Sequence, residues 1–152
     1  MSHNIGVDIL HLPRLISLLS RRSVSGFTRR ILTPLELAEF GKLSASNATS
    51  TSGPPMSSSA LLSDPRTRFL ATRWAAKEAA YKASTDIIST TREQWMGWKN
   101  FEISRGPRGE PVLAIKNGQG VKIGNGSISI SHDGDYVIAM AMVPRSFDLK
   151  PV

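Results

Sequence analysis

The stretch RWAAKEAAYKA (Arg73–Ala83) decides the reading of this chain. Alanine is the best helix former, so these residues predict a helix, extended by their flanks to about Arg66–Thr85. Among the small residues stand Arg73, Lys77, Glu78 and Lys82. Arg73 and Lys77 are four apart, as are Glu78 and Lys82, so each pair shares one helix face. A solvated Glu-Lys contact explains the second pair at a stabilisation of only about 0.3–0.5 kcal/mol. The other account is chemical. Magnesium is commonly held by one or two carboxylates plus substrate phosphates and water. Glu78 would be one ligand, and a second acid must come from elsewhere in the chain.

Asp8 supplies that candidate. Ile5, Val7 and Ile9 alternate with Gly6, Asp8 and Leu10, the pattern of a strand with one apolar face and Asp8 pointing away from it. Charged residues are depleted in strands. Pairing with an arginine at the strand end is the plain explanation. If the strand packs beside the helix, Asp8 and Glu78 become two metal ligands. Ala75, Ala76, Ala79 and Ala80 would permit that approach. Arg73, Lys77 and Lys82 would then face a phosphorylated substrate.

Leu12, Leu15, Ile16 and Leu19 follow at helical spacing, with Pro13 in the first turn. The opposite side carries Arg14, Leu18 and Arg21. Five arginines and no acid lie between Arg14 and Arg30. A solvated basic face is one outcome. Leu18 within it suits docking of an acidic amphipathic helix. Thr33, Pro34 and Glu36 give the next helix a cap, a first-turn proline and a capping box. Residues 43–64, rich in Ser, Thr and Pro and without periodicity, predict a mobile loop insertion.

Later segments read as strands. WKNFEISR and EPVLAIKN are joined by the turn GPRG, and NGQGVKIGNG reads as turns around a short strand. Its glycine spacing is not a dinucleotide-binding fingerprint, and no helix follows it. SISISH alternates before an Asp133-Gly134 hairpin turn. YVIAMAMV, apolar at every position, predicts a central strand buried on both faces. His132 lies at the lip of the hairpin, where a lone histidine is as readily structural or solvated as functional.

The 152 residues suggest one domain (1–152) able to bury its own core. With no cysteine, disulfides, thiolate metal sites and cysteine catalysis are excluded. No apolar run reaches the roughly 18–20 residues of a membrane span. The opening MSHNIGVDIL has neither a secretory signal pattern nor the Arg- and Ser-rich leader of a transit peptide. A net charge of +7 and a pI near 10.3 call for an anionic partner. A small basic nucleic-acid-binding module is the alternative. Against it, no helix-turn-helix, RNP or zinc pattern is present, and the aromatics do not interleave with the basic run. A catalytically silent trimer with Glu78 merely paired to Lys82 is the other alternative.

GVDIL followed by PRL, then RFLATRWAAKEAAYKA, then SISISHDGDYVIAMAMV together resemble holo-[acyl-carrier-protein] synthase, the small single-domain type of 4′-phosphopantetheinyl transferase. The likeness runs in order through nearly the whole chain apart from the insertion. It implies an α+β fold, mostly antiparallel sheet packed by a long helix, in a homotrimer whose active sites lie between subunits. It implies phosphopantetheine transfer from coenzyme A to a serine of an apo acyl carrier protein. Asp8 and Glu78 would hold Mg2+, with Mn2+ as a substitute. Lys82 would lie near the phosphates, and Arg73 and Lys77 would join it in the coenzyme-binding motif. Gly109 and Pro111 resemble a Gly-Lys-Pro turn, and Ser131 and His132 a second coenzyme-contacting segment, both supplied by a neighbouring subunit. Arg14 resembles the arginine that meets acidic carrier residues, with Leu18 and Arg21 on the same docking face. Glu78 or a water on the metal would take the serine's proton. Glu110 departs from the lysine or arginine usual in that turn, removing one expected cation. The long insertion suggests a eukaryotic, fungal-type member serving the mitochondrial matrix; otherwise the enzyme would be cytoplasmic. No membrane and no nucleic acid is expected as a partner.

Overall fold

Glycine in an apolar strand marks a place where another backbone comes close, and Gly6 fixes this architecture. A computed structural model describes residues 2–43, 63–85, 97–145 and 147. Strand β1 (His3–His11) is followed by helices α1 (Leu12–Arg21), α2 (Val24–Ile31), α3 (Pro34–Lys42) and α4 (Pro65–Ala83). A 3-10 turn (Trp98–Asn100) leads into β2 (Phe101–Arg105), β3 (Pro111–Lys116), β4 (Lys122–Asp133) and β5 (Tyr136–Pro144). The strands form one antiparallel sheet in the order β1-β5-β4-β3-β2. This is the expected α+β arrangement. Nearly all of the 43–64 insertion lies outside the described residues.

Helix α4 lies across β1 and β5. Ala75, Ala76, Ala79, Ala80 and Ala83 are fully buried, and Ala139 and Ala141 of β5 are buried beneath the helix. Gly6 pairs with Ala141, and Asp8 with Ala139, so small residues floor the contact. A Cβ on Gly6 would collide with the Ala79 carbonyl oxygen and stand 2.7 Å from the Ala83 nitrogen. The approach foreseen from the alanines is therefore real. Asp64 caps α4, accepting from Thr67 N at 3.1 Å, and Pro65 opens the first turn. On α3, the Thr33–Glu36 capping box forms as expected.

Several expectations need correction. The apolar face of β1 does not enter the core: Ile5 is 64% and Ile9 62% exposed, and Gly6 and Leu10 are buried instead. Strand β5 is interior to the sheet but buried on one face only, with Ile138, Met140 and Met142 exposed on the other. The described helices cover a single side of the sheet, and the all-apolar strand has half its side chains exposed among the described residues. NGQGVKIGNG contains one tight turn, with Gly120 at φ +79°, after which Lys122 begins a twelve-residue strand that absorbs Gly124 and Gly126. The hairpin loop falls one residue later than expected, because Asp133 pairs with Tyr136 across Gly134 and Asp135. Helix α2 was not foreseen; Ser23 caps it by accepting from Gly26 N.

Replacing Gly6 with alanine forces β1 and α4 apart, since the obstacle is backbone. Overpacking of this kind costs about 1–3 kcal/mol. A urea titration of Gly6→Ala should show a lowered midpoint with an unchanged slope. An unaltered midpoint would show that the contact yields freely.

Candidate active site

The close contact at Gly6 determines what lies two residues along. Asp8 projects from the same face of β1 as Gly6, toward α4, and is mostly shielded. Lys82 Nζ donates to Asp8 Oδ1 at 2.9 Å and to the Val7 carbonyl at 3.1 Å. These groups are 74 residues apart in the chain. The partner of Asp8 is thus a lysine of α4 rather than a strand-end arginine. Glu78, one turn before Lys82, is half-buried beside them. Burial raises its pKa above the ordinary carboxylate value, the nearby Asp8 carboxylate raises it further, and Lys82 opposes them. Two hard-oxygen carboxylates that repel each other form the kind of donor pair a divalent ion relieves. Among the described residues no cluster of three or more His, Asp or Glu side chains is placed to hold a metal. The pair therefore offers two protein ligands and leaves further positions to substrate oxygens and water.

Arg73 and Lys77 do not join this group, contrary to expectation. Both point to the opposite side of α4, into the interior. Lys77 is fully buried, 2.7 Å from Glu36 Oε2, and donates to the Trp98 carbonyl at 3.0 Å. Arg73 bonds Glu39 at 3.0 Å and stacks on Phe69. Burial lowers the pKa of both cations against the pull of Glu36. Glu36 in turn accepts from Thr33 N and Ile103 N, tying α3, α4 and β2 together. A charge so desolvated must be paired inside the protein, which removes both cations from phosphate binding. The capping box revealed Glu36 as a cap, but no local pattern reveals its second role.

Within one chain, other predicted residues lie apart from Asp8. Ser131 is in register with Ile138, itself opposite Ile9, on the exposed face rather than the Asp8 face. His132 pairs with Val137 at the end of β4 and is exposed. Gly109, at φ +83°, lies in the β2–β3 turn, and Pro111 opens β3, three strands across the sheet from β1. Glu110 has a local task there: its carboxylate accepts from Arg108 N at 2.8 Å and closes the turn. Arg14 and Arg21 are exposed on α1. Leu18 is only partly exposed and lines a groove of about 290 Å³ with Phe27, Trp74 and Trp98, bordered by Arg22 and Arg30. Trp74 and Trp98 of that aromatic floor are remote from α1 in sequence, so the helical pattern of α1 did not reveal it.

The family model of the 4′-phosphopantetheinyl transferase superfamily matches residues 4–141. The chain belongs to that superfamily. It is 37% identical to the mitochondrial 4′-phosphopantetheinyl transferase B of Aspergillus fumigatus, over 91% of this chain and 92% of the relative. It is 34% identical to the holo-[acyl-carrier-protein] synthase of Geobacillus kaustophilus, over 97% of this chain and 92% of that one. Among solved structures, the ACPS–CoA complex of Chronobacterium ammoniagenes superposes with a TM-score of 0.62 at 27% identity, covering 94% of this chain and 97% of its own. These transferase relatives lend no support to the nucleic-acid-binding alternative.

The raised Glu78 pKa has a stability consequence. Between the ordinary carboxylate value of 4.5 and its folded value, the folded chain holds a proton that the unfolded chain has released. Stability therefore falls as pH rises through that window and stays lower above it. Glu78→Gln should be more stable than wild type at pH 7 in metal-free buffer, with the difference vanishing below pH about 4. Thermal melts across pH check this; a variant less stable at pH 7 contradicts the assigned electrostatics.

Proposed function

We infer that the chain transfers the 4′-phosphopantetheine arm of coenzyme A to a serine of an apo acyl carrier protein, releasing adenosine 3′,5′-bisphosphate. The observation that carries this reading is the meeting of Asp8, Glu78 and Lys82 at the β1–α4 contact, in a chain whose relatives are named for this activity. Asp8 and Glu78 suit Mg2+, with Mn2+ as a substitute, because both are hard oxygen donors with coordination room left for a diphosphate. Bound there, the ion supplies Lewis acidity at the diphosphate and offsets its charge. Lys82 neutralises charge on the departing bisphosphate. The serine oxygen bonds to the β-phosphorus as the bond from that phosphorus to the bridging oxygen breaks, and the electron pair leaves with the bisphosphate. The serine's proton passes to the Glu78 carboxylate or to a water at the site.

The carrier docks on α1 and α2. Arg14 and Arg21 on α1 are exposed, and the groove beside Leu18 joins an apolar floor to an arginine border. An acidic amphipathic helix meets both requirements, placing an apolar side chain in the groove and carboxylates on the arginines. The exposed apolar face of β1 and β5 supports a homotrimer, in which a neighbouring copy brings Ser131, His132, Gly109 and Pro111 to the coenzyme. Contiguous apolar patches of this kind mark association surfaces. The whole chain, 1–152, acts as one domain with the serine-rich segment inserted. The mitochondrial name of the Aspergillus relative supports a place in the mitochondrial matrix.

Intact mass spectrometry of an apo carrier incubated with coenzyme A and Mg2+ tests the reaction. Wild type should add one phosphopantetheine and Asp8→Asn none; an unmodified carrier, or a fully active variant, overturns the assignment. Arg14→Glu should raise the KM for the carrier at least about tenfold with kcat little changed, an effect shrinking at high salt. Equal KM values would remove α1 from docking. Sedimentation should give three copies per particle for wild type and fewer for Met140→Glu, whereas a wild-type monomer would end the trimer proposal.

A further inference from the structure

Lys82 holds two acceptors on β1 at once, the Asp8 carboxylate and the Val7 carbonyl. Its side chain is nonetheless 46% exposed. On the same strand, Gly6 packs directly against Ala79 and Ala83. An Asp8 oxygen that suits a divalent ion is already served by an ammonium. One cation faces two carboxylates, leaving the group one positive charge short of balance. An ammonium and a divalent ion on the same carboxylate repel each other strongly at these distances. A half-exposed ion pair is weak and separates readily. Once released, the lysine remains tethered to α4 beside the ion, with its charge unengaged and facing outward. An anion with oxygens on that ion meets a second cation at once.

We propose that Lys82 is an exchangeable cation: it occupies Asp8 while no divalent ion is bound, and ion entry hands it to the diphosphate of coenzyme A. The proposal rests on the reading that Asp8 and Glu78 hold the ion, and adds that ion and coenzyme reinforce each other through this side chain. Reinforcement must be reciprocal, so the coenzyme tightens the ion as much as the ion tightens the coenzyme.

The test measures free Mn2+ by electron paramagnetic resonance in titrations of wild type, Lys82→Met and Asp8→Asn, each with and without coenzyme A. Without coenzyme, Lys82→Met should bind Mn2+ about tenfold tighter than wild type, the size of one unit charge acting on a divalent ion through a water-like medium. Coenzyme A should tighten Mn2+ by a clearly larger factor in wild type than in Lys82→Met. Equal or weaker Mn2+ binding by Lys82→Met overturns the exchange, as does an unchanged coenzyme effect. Asp8→Asn separates the two claims. If it binds Mn2+ as wild type does, the two-carboxylate reading itself falls. If it binds weakly while Lys82→Met shows no tightening, only the exchange falls.

Discussion

Backbone contact between Gly6 and the Ala79–Ala83 turn governs the rest of this structure. A strand and a helix rarely approach so closely, because a Cβ on either side usually intervenes. Here the strand has none at Gly6, and the helix has only methyl groups, over Ala139 and Ala141. The result is a rigid seam with little side-chain entropy to lose. Asp8 on the strand and Glu78 and Lys82 on the helix emerge at one end of that seam. Their mutual placement is thus set by backbone rather than by flexible side chains, as a site meant to hold its geometry requires.

Arg73, Lys77, Glu78 and Lys82 of α4 resolve into two unrelated networks. Arg73 and Lys77 turn inward to Glu36 and Glu39. Glu78 and Lys82 turn toward β1 and solvent. Desolvation offsets much of the attraction within the inner network, but removal of one partner would cost about 3–5 kcal/mol. Its physical consequence is orientational. Glu36 joins α3, α4 and β2, so α4 is fixed against rotation at Lys77, one residue before Glu78. A helix so anchored keeps its outer acid aimed at the strand.

The long helix, the α3 capping box and the strand-rich second half were legible because each rests on local periodicity or a local hydrogen bond. The Asp8–Glu78–Lys82 group was legible because alanines invited a close strand and the strand carried an unexplained acid. What remained hidden was tertiary. Ile5, Val7 and Ile9 show the same alternation whether they enter their own core or wait for another copy, and here they face outward. Lys77 and Glu78 are neighbours in sequence with opposite fates, and nothing local separates a lysine bound for phosphate from one bound for Glu36. Helix α2 is short, contains Gly26 and β-branched residues, and owes its existence to the packing of Phe27 against Trp74. The same packing builds the groove beside Leu18.

Diffraction from crystals grown with Mn2+ tests the central claim most directly, using the anomalous signal of the ion to locate it. The account predicts one strong peak with oxygens of both Asp8 and Glu78 within about 2.0–2.4 Å. A peak on only one of them, a peak elsewhere, or no peak at saturating Mn2+ would contradict it.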